Sequence, residues 1–398
     1  MDIFAWPYFE EDEIQAVVNV LKSGKINQWT GGEVISFEKE FADYIGAKYA
    51  IALANGSVAL DLALISLDIK KGDEIIVTPR TFIASVSCIV LRGAIPVFVD
   101  VDSESQNIAL ENIKKAVTKK TKAVIAVHLA GWPCEMENIQ KYCKENSIYL
   151  IEDCAQSHGS MVNGKKTGSY GDCAIFSFCQ DKIMTTGGEG GMLLTNDSSL
   201  WEKAWSYKDH GKSYNEIFSM DRPIGFQWHY NSFGTNFRMT EMQAALGRVI
   251  LKKLDGWIDK RRHLAELLNN EFASTPGLRV TLPPAHIKHS YYKYYIFIVP
   301  DELKDGWNRN KILDVFQKLK IFCSPGVCPE IYLEKAFERY PYKISQIKKY
   351  KNYVITRLPV AKLLGETSLM FLVHPTLNSE MILHSAKNVR QVMEGASK

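Results

Sequence analysis

No apolar run in this 398-residue chain approaches the roughly 18 residues that a membrane-spanning helix needs, so no membrane partner is expected. Neither sign of charge dominates. The 48 lysines and arginines against 45 aspartates and glutamates leave a net charge of +3, with the two signs interspersed. A nucleic-acid binder would present a basic stripe, and none is present. The local cluster Lys252, Lys253, Lys260, Arg261 and Arg262 reads as the solvated face of a helix. The eight cysteines contain no Cys-x-x-Cys pair and the nine histidines no His-x-x-x-His spacing. Reduced thiols acting as small hydrophobes, and no metal, are therefore expected. The opening Met-Asp-Ile-Phe-Ala-Trp-Pro lacks the basic and apolar regions of a signal peptide, which points to the cytoplasm. Internal repeats and low-complexity tracts are missing too.

What is present is the composition of an ordinary globular protein, 46% hydrophobic and 23% charged, long enough for one large core and a smaller one. Apolar spacing predicts a helix from Glu10 to Leu21 ending at Ser23-Gly24, then an irregular stretch from Lys25 to Gly32 and a helix from Val34 to Tyr44. From there strands and helices alternate. Strands are predicted at Tyr49–Ala54, Glu74–Val77, Pro96–Val99, Ala123–His128 and Ile148–Glu152. Helices are predicted between them at Val58–Leu67, Ile83–Leu91, Ile108–Val117 and Met136–Glu145. This is the pattern of an α/β domain with a mostly parallel sheet. Leu200–Lys208 reads as a helix, and Asp209–Asn231 as a long irregular loop rich in aromatics. A helical region capped by Thr240 runs to about Phe272, with a break expected near Asp255-Gly256. The turn Thr275-Pro276-Gly277 divides a large domain, residues 25–274, from a smaller α+β domain made of residues 1–24 and 275–398. Its elements are a strand at Tyr291–Val299 and helices at Lys311–Leu319 and Asn378–Met393.

Ligands of such sheets gather beyond the carboxyl ends of the strands, and the conspicuous polar groups lie there. Asn55-Gly56-Ser57 opens a helix, where free amides and the helix dipole favour an anion, although taken by itself a plain capping turn is the simpler reading. Asp153 follows an apolar strand, so its carboxylate calls for a cationic partner unless it serves as a cap. Between the apolar run Ala174–Phe178 and the glycines 187, 188, 190 and 191 stands Lys182. A lysine in that setting is either a carbonyl-capturing amine or an ordinary loop lysine beside a glycine turn.

Six ordered blocks together resemble the sugar aminotransferases of the DegT/DnrJ/EryC1/StrS family. They are Ala54–Ser57, Thr81–Ala84, His128–Gly131, Glu152–Gly159, the stretch from Asp172 to Asn196 around Lys182, and Gly234–Glu241. The resemblance spans nearly the whole chain. It implies the aspartate aminotransferase fold, with a seven-stranded, mostly parallel sheet, and pyridoxal 5'-phosphate as cofactor. On its residue pattern Lys182 attaches to the cofactor aldehyde and carries protons, while Asp153 faces the pyridine nitrogen. Gln156 lies by the cofactor hydroxyl, Phe82 stacks on the ring, and Gly56, Ser57 and Ser177 hold the phosphate. Asn236 comes from the neighbouring subunit, which implies a homodimer with shared sites. Trp29 and Thr30, in an entry segment that departs from the usual form, are candidates for contact with the sugar nucleotide. For the diphosphate the candidates are Lys208, His210, Lys212 and Arg222 in and beside the aromatic loop. The implied reaction takes an amino group from L-glutamate to a nucleotide-linked 4-keto-6-deoxy sugar, for surface polysaccharide or glycan synthesis. Amination at C3 is an alternative. So is a related dehydratase, against which Lys182 argues because that enzyme carries histidine there, and so is a regulator that kept the fold and lost the chemistry.

Overall fold

The computed structural model describes residues 6–218, 229–345 and 357–398. Among them the strands are β1 (Tyr49–Leu53), β2 (Glu74–Val77), β3 (Ile95–Phe98), β4 (Thr121–Val127), β5 (Tyr149–Asp153), β6 (Met161–Val162) and β7 (Lys165–Lys166). There follow β8 (Cys173–Ser177), β9 (Gly191–Thr195), β10 (Leu278–Val280), β11 (Ile287–Lys288), β12 (Tyr294–Ile298), β13 (Lys343–Ile344) and β14 (Ser368–Phe371). The helices of the first half are α1 (Glu11–Ser23), α2 (Glu33–Ile45), α3 (Gly56–Ser66), α4 (Ala84–Leu91), α5 (Leu110–Ala116) and α6 (Met136–Glu145). Those of the second half are α7 (Ser198–Lys208), α8 (Tyr214–Phe218), α9 (Glu241–Phe272), α10 (Arg309–Lys318), α11 (Pro359–Thr367) and α12 (Ser379–Ala396).

The central sheet runs β1-β9-β8-β5-β4-β2-β3-β13. Every pairing from β8 to β13 is parallel, and β9 runs antiparallel to both its neighbours. The seven expected strands are joined by an eighth, the two-residue β13, which pairs with β3 at the edge. Both faces are covered, which is why these strands are nearly continuous apolar runs. Ile75, Val77, Ile125, Ile151 and Leu193 point into a core shared with α3, α4 and α11. Their neighbours point the other way: Phe176 and Leu194 toward α2 and α9, and Ile76, Val124 and Leu150 toward α5 and α6. The alternation is the two-residue period of a pleated strand.

A second sheet, β10-β12-β14, is antiparallel. It packs with α10, α12 and the last third of α9 around Ile296, Phe316, Leu369 and Val389. The chain after α10 also returns to the large core, where Ile331, Phe337, Ile344, Ala361 and Leu364 are buried.

The expected break in α9 is absent: the helix runs 32 residues without interruption from a capping box of Thr240 and Gln243. At about 1.5 Å per residue it spans roughly 48 Å and places Ile250, Leu254 and Ile258 in one core and Leu264, Leu268 and Phe272 in the other. Burial on both sides of Asp255-Gly256 outweighs the weak helix propensity of a single glycine. Part of the loop expected at Asp209–Asn231 is helical, as α8; residues 219–228, with Arg222, lie outside the described residues.

Gly256 is exposed, and a β-carbon there would meet nothing within 4 Å. Gly256→Ala should therefore stabilise the protein by about 0.5–1 kcal/mol. Chemical denaturation checks this, and a loss of stability would mean that α9 is not continuous at that point.

Candidate active site

The carboxyl end of the sheet is drawn together by glycines that leave no room for a side chain. A β-carbon on Gly56, at the first turn of α3, would sit 2.7 Å from Ser177 Cβ at the end of β8. One on Gly191 would sit 2.4 Å from the Asn55 carbonyl oxygen. Asn55 caps α3 by accepting the Val58 N–H at 3.0 Å, which leaves the earlier amides of the helix and the exposed Ser57 at its positive end. Ser177 Oγ stands beside them and accepts the Cys179 N–H at 3.4 Å.

Lys182 lies in the turn between β8 and β9. That turn is tied by Phe178 N–H to Gly190 O at 2.8 Å, Gln180 N–H to Gly188 O at 2.9 Å and Lys182 N–H to Cys179 O at 3.1 Å. Gly187 and Gly188 take φ of 87° and 113°, values that exclude most side chains. These glycines thus serve the turn itself. The Lys182 side chain is 17% exposed, and its amine lies 3.3 Å from Tyr292 Oη and 3.5 Å from Asp181 Oδ1.

Asp153 ends β5. Its neighbour Glu152 points to the opposite face and accepts the Gly168, Tyr170 and Gly171 amides and a bond from His128 Nε2. Asp153 instead receives the Ser85 hydroxyl at 2.7 Å and the Ala155 N–H at 3.1 Å. Burial holds its pKa above the ordinary carboxylate value, although Ser85, Ala155, Lys182 and His128 all work the other way. The carboxylate is therefore only partly compensated within the chain and suits a cationic ring nitrogen. Gln156 Oε1 accepts the Ala130 N–H at 2.8 Å, which fixes the orientation of the amide and leaves its NH2 as a donor. Phe82 is 63% exposed just before α4, a ring face lacking a cover. An anion cradle, a partly compensated carboxylate, a bare aromatic face and an amine at the mouth of one sheet fit a phosphorylated, cationic ring aldehyde.

The remaining candidates form a second group, beside β1. Ala54 N–H donates to Phe237 O at 2.9 Å, His210 N–H to Thr235 O at 3.1 Å, and Asp209 bridges Asn236. Lys212 Nζ sits 4.0 Å from the centre of the Trp29 ring and 3.3 Å from Asp209 Oδ1. Thr30 Oγ1 donates to the Asn27 carbonyl at 3.1 Å. Asn236, Thr30 and His210 are exposed. Two expectations are corrected here. Lys208 does not face a diphosphate: it is fully buried, with its amine 3.0 Å from Gln28 Oε1 and 3.8 Å from Asp209 Oδ2. Nor is Arg261 part of a solvated face. It is buried, its guanidinium 5.1 Å from the Trp6 ring and bonded to the Tyr292 carbonyl at 3.3 Å.

The matching family model is the DegT/DnrJ/EryC1/StrS aminotransferase family, over residues 7–390. The chain belongs to this family. It is a pyridoxal phosphate-dependent nucleotide-sugar aminotransferase with the aspartate aminotransferase-like fold. A solved aminotransferase from Psychrobacter cryohalolentis is similar at 47% identity and a TM-score of 0.93, covering 99% of both chains. GDP-perosamine synthase of Escherichia coli O157:H7 is 32% identical over 361 residues, 91% of this chain and 90% of that one. The dTDP-3-amino-3,6-dideoxy-alpha-D-galactopyranose transaminase of Aneurinibacillus thermoaerophilus is 40% identical over 290 residues, 71% of this aminotransferase and 74% of that one.

Sequence reasoning missed Ser85, Tyr292 and Lys293. A serine four residues after Thr81 on a helix was the only local sign of the first. The run Tyr291-Tyr292-Lys293-Tyr294-Tyr295, a lysine inside an aromatic run at the entry to β12, was the sign of the others.

The pKa of Asp153 in the folded chain lies above its unfolded value. Its ionised form therefore costs stability, a cost absent below the unfolded pKa and complete above the folded one. Asp153→Asn keeps the Ala155 bond, and the Ser85 hydroxyl can turn to accept. At neutral pH the cofactor-free variant should melt above wild type while binding pyridoxal phosphate more weakly. Calorimetry and cofactor titration check this, and a lower melting temperature contradicts it.

Proposed function

We propose that this aminotransferase moves an amino group from L-glutamate to C4 of a nucleoside diphosphate-linked 4-keto-6-deoxy sugar. The product would be a 4-amino sugar for surface polysaccharide or glycan synthesis, made in the cytoplasm by a homodimer with shared sites. The observation that carries the reading is that the turn bearing Lys182, after β8, and the buried Asp153 carboxylate, at the end of the adjacent β5, lie at adjoining strand ends beside the open amides of α3.

When bound, pyridoxal phosphate supplies an aldehyde that takes up the amino group and a protonated ring that accepts an electron pair. Lys182 Nζ is the amine that would attach to that aldehyde, and as a free amine it would carry the proton to and from the substrate carbon. Asp153, already held by Ser85 and Ala155, would keep the ring nitrogen protonated. Phe82 would cover one ring face, and the Gln156 NH2 would donate to the ring hydroxyl. The Gly56 and Ser57 amides with the Ser57 and Ser177 hydroxyls would bind the phosphate at the positive end of α3. Asn236 would reach this phosphate from the partner subunit, and Trp29, Thr30, His210 and Lys212 would contact the nucleotide sugar. Support for the shared site comes from Phe233, 99% exposed, and Tyr230, 60% exposed, in the same strip as Asn236. Apolar surface so bare suits a covering partner.

C4 is supported by the likeness to the dTDP-4-dehydro-2,3,6-trideoxy-D-glucose 4-aminotransferase of Saccharopolyspora spinosa, 33% identical over 305 residues, whose name specifies that position. The C3 reading draws on the Aneurinibacillus transaminase, whose name specifies a 3-amino product. Lys182 speaks for transamination over dehydration.

Wild-type protein loaded with cofactor should show a visible band that borohydride removes by fixing the cofactor to Lys182. Lys182→Ala should lose both band and turnover, and Asp153→Ala should lose at least ~10²-fold in rate. Glutamate is then supplied with 4-keto or 3-keto sugar nucleotides, and the new amine is located by NMR. Amination confined to C3 overturns the ring position; no amination of any sugar nucleotide overturns the substrate class. Heterodimers of Lys182 and Asn236 variants should regain one intact site, and a fully active monomer contradicts the shared site.

A further inference from the structure

Two charges beside Lys182 have no part in that reading, and they are of opposite sign. Asp181 immediately precedes it. Lys293 comes from the segment entering β12, more than a hundred residues away. Tyr292 joins them: its hydroxyl donates to Asp181 Oδ2 and accepts from Lys182 Nζ at 3.3 Å, and both amines lie close to its ring. Lys182 Nζ lies 4.9 Å and Lys293 Nζ 4.6 Å from the centre of that ring. Lys293 Nζ is also 3.8 Å from Asp181 Oδ2. One carboxylate and one phenol thus hold two lysines in a single cluster, of which only one stands in the turn between β8 and β9.

We propose that Asp181 and Lys293 are an opposed pair of positioning residues that set the protonation of the Lys182 nitrogen through Tyr292. The inference rests on the assignment of Lys182 given above. Asp181 stabilises a positive charge on that nitrogen, Lys293 opposes one, and the Tyr292 hydroxyl keeps the amine at a fixed distance from both. Burial works against the Asp181 carboxylate, yet Lys182, the Tyr292 hydroxyl and Lys293 outweigh it and hold its pKa below the ordinary value. Burial pushes Lys293 down to about 8; Asp181 opposes this, while Arg261 and Lys182 add to it. Lys293 therefore carries its charge at neutral pH and sheds it just above. The other titratable groups facing the cluster are Arg261 from α9, His374 after β14, and Asp153 and His158 from the end of β5. Burial, with Arg261 and Lys293 adding, holds His374 down at about 4, and burial with Lys182 and Arg261 holds His158 at about 3. Both histidines stay neutral where Lys293 changes charge; Arg261, which burial pushes down to about 9 against Tyr292 and Asp181, is the same in every variant, so differences between variants report on Asp181 and Lys293.

The test is a spectroscopic titration of the cofactor-loaded protein through the alkaline range, following the visible band. A parallel measurement on cofactor-free protein follows the rate at which trinitrobenzenesulfonate modifies the Lys182 peptide. Asp181 is half exposed, so Asp181→Asn leaves the fold intact, and its midpoint should fall by about one pH unit. Lys293→Met should raise the midpoint by about half a unit, and Lys293→Arg, which keeps the charge, should return it close to wild type. The modification rate at fixed pH should rise in Asp181→Asn and fall in Lys293→Met. Should Lys293→Met fail to fold, Asp181→Asn and Lys293→Arg carry the test. Midpoints that do not move, or that move in the same direction for both neutralised positions, overturn the proposal. A wild-type protein with no lysine-dependent band overturns the assignment of Lys182 and this inference with it.

Discussion

The close approach of backbone at Gly56, Ser177 and Gly191 is the constraint on which the site depends. Because no side chain intervenes there, the first turn of α3, the end of β8 and the start of β9 meet at van der Waals distance. The turn that carries Lys182 is thereby fixed relative to the open amides of α3. A sheet with ordinary spacing at this point would separate the amine from the anion cradle. The antiparallel β9 is part of the same arrangement: it turns the chain straight back from Lys182 and inserts Gly191 beside Asn55.

Around this centre the protein places groups whose charges the chain satisfies only in part. Asp153 is paired with a hydroxyl and an amide rather than a cation, and Phe82 presents its ring to solvent. Both arrangements cost free energy in the empty chain, and both become favourable against a cationic aromatic ring. Strain of this kind is concentrated at functional sites and tolerated because the surrounding packing holds it in place. Here that packing includes α9, which belongs to both cores and ties the β8–β9 turn to the small sheet.

Much of this was legible in the sequence because the signals are local. Apolar runs bounded by turn residues marked the central strands closely, and of the groups at their carboxyl ends Ser57 and Asp153 could be named from position, Phe82 and Gln156 from the family resemblance. The failures share one cause, which is that tertiary contacts decided them. Gly256 weakens a helix locally, but Leu254 and Ile258 are anchored on either side. Lys208 and Arg261 have the composition of surface residues and are buried by partners, Gln28 and Trp6, distant in sequence. Tyr292 and Lys293 meet Lys182 across more than a hundred residues, a distance at which periodicity carries no information. The two-residue β13 is too short to leave any pattern.

The indole of Trp6 donates its N–H to the carbonyl of Lys182 at 3.0 Å, and the same ring lies over Arg261 and stacks on His374. One side chain near the amino terminus thus touches the backbone of the reactive turn, the long helix and the small sheet's outgoing loop. A movement of the small sheet relative to the large one would be felt at the Lys182 carbonyl through a ring belonging to neither. The first helix and the residues leading into it then act as a tether, linking the separation of the two sheets to the tilt of the peptide that carries the amine.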